Sequence, residues 1–286
     1  MECDHCFVWS RPTAQETMTF KQINELLNEA KKLGTVEWVW FEGGEPFLYY
    51  QIMLKGLSKA AEMGFKIGVL SNAYWATCVE DALEWLHPLA ELGVADFGLS
   101  SDPYHGEDTE AERVKNGVEA ALKLGIPAGV MATAKLPEEL VGLPGGVGEL
   151  MYRGRAAEKL LEGAPRKAWS AFKECPYEDL ANPERVHIDP LGYVHVCQGL
   201  TIGNAWQTPF SEIIRSYDHS NHPVIRPLVE GGPVALVERF GLSHEEKYVD
   251  ACHLCYMARL ALRERFSQLL APDQMYGGLK DGDIEG

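Results

Sequence analysis

The sequence predicts an α/β chain, with βα units on a parallel sheet or barrel followed by a small α+β domain built around a β-hairpin. Three observations predict it. Helix-period segments end in glycine at Gly34, Gly64, Gly93 and Gly125, and each is followed within a few residues by a short apolar run. Those runs, 36–41, 66–70, 95–100 and 127–132, read as apolar on both faces, as strands covered by helices are. Beyond about residue 165 the pattern alternates in period two around Pro190-Leu191-Gly192, which signals a hairpin.

Taken in order, the helices end where a glycine can adopt the left-handed C′ conformation without steric cost. The helix over 79–92 contains His87-Pro88, which predicts a kink or a split there. Cys78 just before it reads as a small buried or half-buried thiol. Residues 135–148 read as a loop leading to a fifth strand around 149–152, and a helix is expected over 156–161. Arg153 and Arg155 either reach an anionic ligand or are solvated at that helix start, and solvation is the favoured reading. The hairpin pairs 186–189 with 193–196, Ile202-Gly203-Asn204 follows, and helices are expected over 209–217 and 256–270. The expected domains are 1–164 and 165–270, with a mobile tail over 271–286.

Composition restricts the function. The 286 residues suffice for two domains or one large α/β domain. No apolar run approaches the ~20 residues needed to span a bilayer, and the N-terminus lacks a basic segment followed by an apolar one. The chain is therefore expected to be cytoplasmic, with no membrane partner. A formal net charge of -16 opposes attraction to phosphate backbones, so no nucleic-acid partner is expected. Seven cysteines in such a chain point to metal or redox chemistry rather than to a disulfide framework.

Polar groups cluster at the expected strand C-termini, where ligand sites of such folds gather. Gly43-Gly44-Glu45-Pro46 follows the first run. Ser71-Asn72-Ala73-Tyr74 follows the second, and Ser100-Ser101-Asp102-Pro103-Tyr104-His105 the third. Each could be ordinary helix capping; three converging on one face favour a site. The cysteines fall at 3 and 6, at 78, and at 175, 197, 252 and 255. Cys3-Asp4-His5-Cys6 supplies two thiols from one tight loop, fewer than zinc or an iron–sulfur cluster usually takes. Cys175, Cys197, Cys252 and Cys255 form a plausible closed four-thiolate site that suits zinc or a 4Fe-4S cluster. His187, His195 or His253 could replace one thiolate, though packing roles suit them better.

Together these pieces resemble the radical S-adenosylmethionine (radical SAM) enzymes with a C-terminal auxiliary-cluster domain of the SPASM or twitch type. The resemblance implies a partial (β/α)6 TIM-type barrel lacking its first strand. Cys3 and Cys6 match the last two cysteines of the family's Cys-x3-Cys-x2-Cys loop, with His5 where an aromatic residue is usual. The loop holds a 4Fe-4S cluster that SAM chelates. Its first cysteine would lie four residues before Cys3, ahead of Met1, so the chain is expected to be truncated within the motif. Gly43, Gly44, Glu45 and Pro46 match the motif that binds the methionine ammonium. Ser71-Asn72 resembles the third-strand polar end, with Ala73 where glycine is common, and Ser100-x-Asp102 resembles the segment near the ribose. Cys175, then Gly192-x4-Cys197, then Cys252-x2-Cys255 follows the cysteine order of the auxiliary domain.

The resemblance implies reductive cleavage of SAM to a 5′-deoxyadenosyl radical, which abstracts hydrogen from a peptide or small-molecule substrate. It implies SAM, two 4Fe-4S clusters and an electron donor such as flavodoxin or ferredoxin. Tyr104 and His105 are the candidate catalytic residues, either of which could accept a proton. The alternative is a zinc- or cluster-stabilised binding protein whose N-terminal cluster site does not function.

Overall fold

The computed structural model describes residues 2–14, 16–105 and 111–278, which fall into two compact units. The first comprises Met1–Cys3 and Met18–Leu150, and the second Asp4–Thr17 and Met151–Gly286.

The first unit alternates α1 (Phe20–Leu33), β1 (Trp38–Phe41), α2 (Tyr50–Glu62), β2 (Lys66–Ser71), α3 (Val79–Glu91), β3 (Asp96–Ser100), α4 (Ala111–Lys123), β4 (Ala128–Thr133) and β5 (Gly145–Gly148). α1 shows how the local sequence sets these boundaries. Thr19 and Gln22 form a reciprocal capping box at its start, and Gly34 ends it in the left-handed conformation with φ 75°. Ile23, Leu27 and Ala30 recur at helical spacing and form its buried stripe.

The five strands form one parallel sheet in the order β1-β2-β3-β4-β5, the mixed α/β architecture of a partial TIM-type barrel. The sheet is not equally apolar on its two faces. Ile67, Val69, Phe97, Leu99 and Val130 are buried, whereas Met131, between buried neighbours, and Trp38 and Trp40, which alternate with half-buried Val39 and Phe41, remain partly exposed. Phe47 stacks on Trp75 at 4.5 Å between ring centroids and contacts Trp85 and Phe97, so aromatic packing consolidates the region around the β1 and β2 exits.

Two boundaries of this unit differ from expectation. β5 occupies 145–148 rather than 149–152, because the glycine-rich stretch supplies backbone rather than side chains. It pairs with β4 through Met131↔Gly146 and Ala132↔Val147. At Gly145, with φ 133°, an added Cβ would lie 2.0 Å from the Val130 carbonyl oxygen, a closeness that only glycine permits. α3 continues through Pro88 to Glu91 instead of splitting.

The second unit contains α5 (Ala156–Lys159), β6 (Lys167–Ala168), β7 (His187–Ile188), β8 (Tyr193–Cys197), β9 (Leu200–Asn204), α6 (Phe210–Arg215), α7 (Ile225–Phe240), β10 (Lys247–Tyr248) and α8 (Ala251–Leu262). β7, β8 and β9 form an antiparallel sheet in that order, and β6 pairs with β10. Its core holds Val196, Leu200, Ile225, Leu236, Leu254 and Leu270. α7 was not anticipated, since Gly231, Gly232 and Pro233 interrupt its pattern and the backbone breaks at the two glycines.

α8 ends at Leu262, short of the expected residue 270. The carbonyls of Gln268 and Leu269 accept from Thr201 Oγ1 and N instead of continuing the helix. The expected mobile tail is corrected over 271–278, where Met275 and Tyr276 are buried and the Tyr276 hydroxyl donates to the Gly199 carbonyl at 2.6 Å. Residues 279–286 lie outside the described residues.

Candidate functional site

In the first unit the polar residues at the strand exits are joined by hydrogen bonds. Glu45 is buried; its Oε1 accepts from Phe47 N at 3.0 Å and Ser71 Oγ at 2.9 Å, and its Oε2 accepts from Asn72 N at 2.7 Å. This carboxylate therefore fastens the loop after β1 to the loop after β2. Burial pushes its pKa up, against those three bonds. Ser71 Oγ also accepts from Trp75 Nε1 at 2.9 Å. Ala73 sits at φ 60°, a conformation in which glycine carries no penalty. Gly43 and Gly44 are exposed, while Pro46, Asn72 and Ser100 are half-buried.

Asp102 and His105 form a buried pair after β3. Asp102 Oδ1 lies 2.9 Å from His105 Nδ1 and accepts from Tyr104 N at 2.9 Å; Oδ2 accepts from Thr133 N at 3.2 Å. A carboxylate only accepts, so Nδ1 carries the proton and Nε2 is the basic atom of the neutral ring. Tyr104 is half-buried beside the pair. This arrangement orients an imidazole for proton transfer.

In the second unit Cys175, Cys197, Cys252 and Cys255 line one cavity, together with Arg153 and Arg259. Cys197 ends β8, and Cys252 and Cys255 share a face of the first turns of α8 by their i,i+3 spacing. Asp250 caps α8, accepting from His253 N at 2.7 Å and from Tyr152 N at 3.1 Å. Burial pushes the Cys175 and Cys252 thiols up and takes Cys255 to about 12. Among the described residues, no three of the four sulfurs lie within 4.8 Å of one another.

The favoured solvation of Arg153 and Arg155 is overturned, because both are buried. Arg153 Nη1 donates to Cys197 Sγ at 2.9 Å, and its guanidinium lies 4.7 Å from the centre of the Phe7 ring. Arg155 N donates to the Cys6 carbonyl at 3.0 Å, and its Nη2 donates to the Ser10 carbonyl. Between them Gly154, with φ 58°, packs so closely that an added Cβ would lie 2.5 Å from Phe7 Cα. Arg153-Gly154-Arg155 thus clasps the segment that follows Cys6. Cys6 Sγ accepts from Ser10 N at 3.3 Å, and Cys3 and His5 are half-buried.

The histidines near the four-cysteine cavity have packing roles. His195 Nδ1 accepts from Gly199 N at 3.3 Å, which leaves Nε2 to donate to Asp189 Oδ2 at 3.1 Å. With both nitrogens engaged, His195 braces the hairpin. His253 Nδ1 accepts from Val249 N at 3.4 Å, and its ring meets Tyr248 edge-on. His187 is half-buried and lies opposite His195 in the β7–β8 register. Cys78 is half-buried and caps α3, its sulfur accepting from Asp81 N at 3.4 Å. Sequence reasoning missed Arg259 and Tyr276. Arg259 follows Cys255 by four residues on α8, a spacing that marks a shared face, whereas no sequence pattern pointed to Tyr276.

Residues 1–139, which carry the strand exits and the Cys3-x2-Cys6 pair, match the family model described as the Radical SAM superfamily. Residues 1–139 are thus similar to radical SAM domains. A protein of Bacillus subtilis (strain 168) named "Putative peptide biosynthesis protein YydG" is 31% identical over 121 residues, covering 42% of this chain and 38% of that protein. The match thus spans well under half of either length. The polar strand exits of the matched segment lie on the sheet and loops of the first unit, and the four-cysteine cavity lies in the second, beyond residue 139. No helix among the described residues is long and apolar enough to cross a membrane.

Proposed function

We propose that the chain is a radical SAM enzyme that modifies a peptide and carries one auxiliary 4Fe-4S cluster on Cys175, Cys197, Cys252 and Cys255. The observation that carries the cluster reading is the convergence of these cysteines, distant in sequence, on a cavity walled by two buried guanidiniums. Arg153 Nε and Arg259 Nε are buried there without a hydrogen-bond partner, which suits a cavity made for an anionic group. Spacing favours a cluster over one zinc ion. Zn–S bonds of about 2.3 Å would bring tetrahedral sulfurs to roughly 3.8 Å from one another. Sulfurs of which no three lie within 4.8 Å of one another suit ligands to separate iron atoms better.

A 4Fe-4S cluster with SAM, when bound, would supply radical chemistry able to remove hydrogen from an unactivated carbon. Cys3 and Cys6 would hold that cluster, with His5 in the same loop. The exposed backbone of Gly43 and Gly44 would meet the methionine ammonium, with Pro46 fixing the chain's exit. Glu45 has one acceptor position left after its three bonds and would act mainly by shaping that loop. Asn72, Ser100 and Asp102 would border the nucleoside. His105 would accept a proton through Nε2, held in that tautomer by Asp102, and Tyr104 would contact substrate beside it.

The peptide substrate class is supported by the name of the Bacillus relative, and a flavodoxin or ferredoxin would supply the electron. The test is formation of 5′-deoxyadenosine from SAM and dithionite by anaerobically reconstituted protein. Two clusters per chain and production of 5′-deoxyadenosine are expected. Zinc in place of iron, with no 5′-deoxyadenosine, would support a binding protein instead.

A further inference from the structure

We infer that Arg153 and Arg259 are the buried counter-charges of the four-cysteine site, and that they raise the reduction potential of a cluster bound there. The inference rests on the auxiliary-cluster reading above and goes beyond it by assigning the cluster's tuning to two named residues.

Both side chains are almost fully enclosed, at 4% and 1% exposure, and both line the cavity that the four cysteines share. A buried guanidinium is costly unless an anion or a full set of acceptors meets it. Arg153 gives Nη1 to Cys197 Sγ, and Arg259 gives Nη1 to the Gln198 carbonyl at 3.0 Å, one residue further along the chain. Among the described residues neither makes a salt bridge to a carboxylate, and the Nε of each lacks an acceptor. Asp250 and Glu178 are the nearby acids. Asp250 is occupied by the Tyr152 and His253 amides, and Glu178 pairs with Arg185 at 3.0 Å. Tyr276, on the far side of Arg259, offers a ring face at 5.9 Å.

The counter-charge that is missing is the one the cysteines would carry. Four thiolates around an oxidised 4Fe-4S core leave a net charge of two negatives, which two guanidiniums balance. One-electron reduction adds a third negative charge beside the same two cations. In a low-dielectric cavity those cations favour the reduced form, and a hydrogen bond to a ligating sulfur acts in the same direction. Arg153 supplies such a bond to Cys197 as well as its charge.

The test uses the full chain with C3A and C6A, so that only the C-terminal site can take up a cluster, reconstituted anaerobically with iron and sulfide. Dithionite titration followed by electron paramagnetic resonance gives the potential for this parent and for R153M, R259M, R153K and R259K. Each methionine variant is expected to titrate lower by at least a tenfold change in the electron equilibrium, 59 mV for one electron. The lysine variants, which keep the charge, should stay nearer the parent. Methionine variants that take up no iron while the lysine variants load would also support the inference. Unchanged potentials at equal iron content, or lysine variants that fail to load alongside the methionine ones, would overturn it. A parent that takes up no iron would instead remove the cluster reading itself.

Discussion

The backbone N–H of Arg155 donates to the Cys6 carbonyl at 3.0 Å, so a residue of the N-terminal cysteine motif is anchored by the chain 149 residues later. Arg153, two positions earlier, reaches Cys197, and the glycine between them is held at φ 58° against Phe7. Gly154→Ala should therefore cost more than the roughly 1–2 kcal/mol of a left-handed alanine, because the new methyl also meets Phe7 Cα. Urea unfolding of the purified chain should show a lower midpoint with an unchanged slope. A midpoint equal to that of the parent would show that the clasp relaxes freely.

Glu45 holds two loops together through three accepted bonds. Glu45→Gln keeps the shape but turns an amide N–H₂ towards one of those donors, leaving a buried group unsatisfied. A loss of about 1–3 kcal/mol is expected in denaturant unfolding, larger than for Gln substitution at the exposed Glu91.

His222 sets a pH dependence. Its Nδ1 accepts from Val224 N at 3.2 Å and Ile225 N at 3.0 Å, and its Nε2 donates to the Thr201 carbonyl at 3.0 Å. Burial lowers its pKa from 6.5, against the bond to the Thr201 carbonyl, which favours the charged ring. A depressed histidine binds its proton more readily when unfolded, so its contribution is present above pH 6.5 and is lost as the pH falls below it. His222→Ala should be less stable at pH 8 by about 1 kcal/mol and should show a flatter decline between pH 7 and pH 5.

The Asp102–His105 pair fixes one imidazole tautomer, which nitrogen NMR shifts can read directly. Asp102→Asn should shift the tautomer equilibrium, since an amide cannot accept from Tyr104, His105 and Thr133 together. If His105 accepts the substrate's proton, His105→Ala should lower product formation by about 100-fold or more while SAM binding, followed by calorimetry, changes little. Equal turnover in both variants would remove that role.

The alternation of helices and strands was legible because a left-handed glycine follows each of α1 to α4, a cue that needs only local sequence. β5 was not, because glycines carry no periodicity and its place is set by backbone contact with Val130. The four-cysteine site was legible from residue type and order. Its arginines were not, because charge predicts exposure and only the folded cavity shows that Arg153 faces Cys197. Likewise Glu45 was recognisable as a polar residue at a strand exit, whereas the direction of its carboxylate depends on where the loop after β2 presents Asn72 N.

The contact from the Tyr276 hydroxyl to Gly199 joins residues 77 apart and closes the wall behind Arg259. During synthesis, all four cysteines leave the ribosome before this closing residue does. The packing around Arg259 can therefore be completed only after residue 276 has emerged. Until then the cavity's thiols are open to iron, zinc or oxidants alike, and whichever arrives first meets no finished wall. Correct loading is in this sense a matter of timing as much as of affinity, and cutting the chain just before Ala271 would extend the vulnerable interval indefinitely.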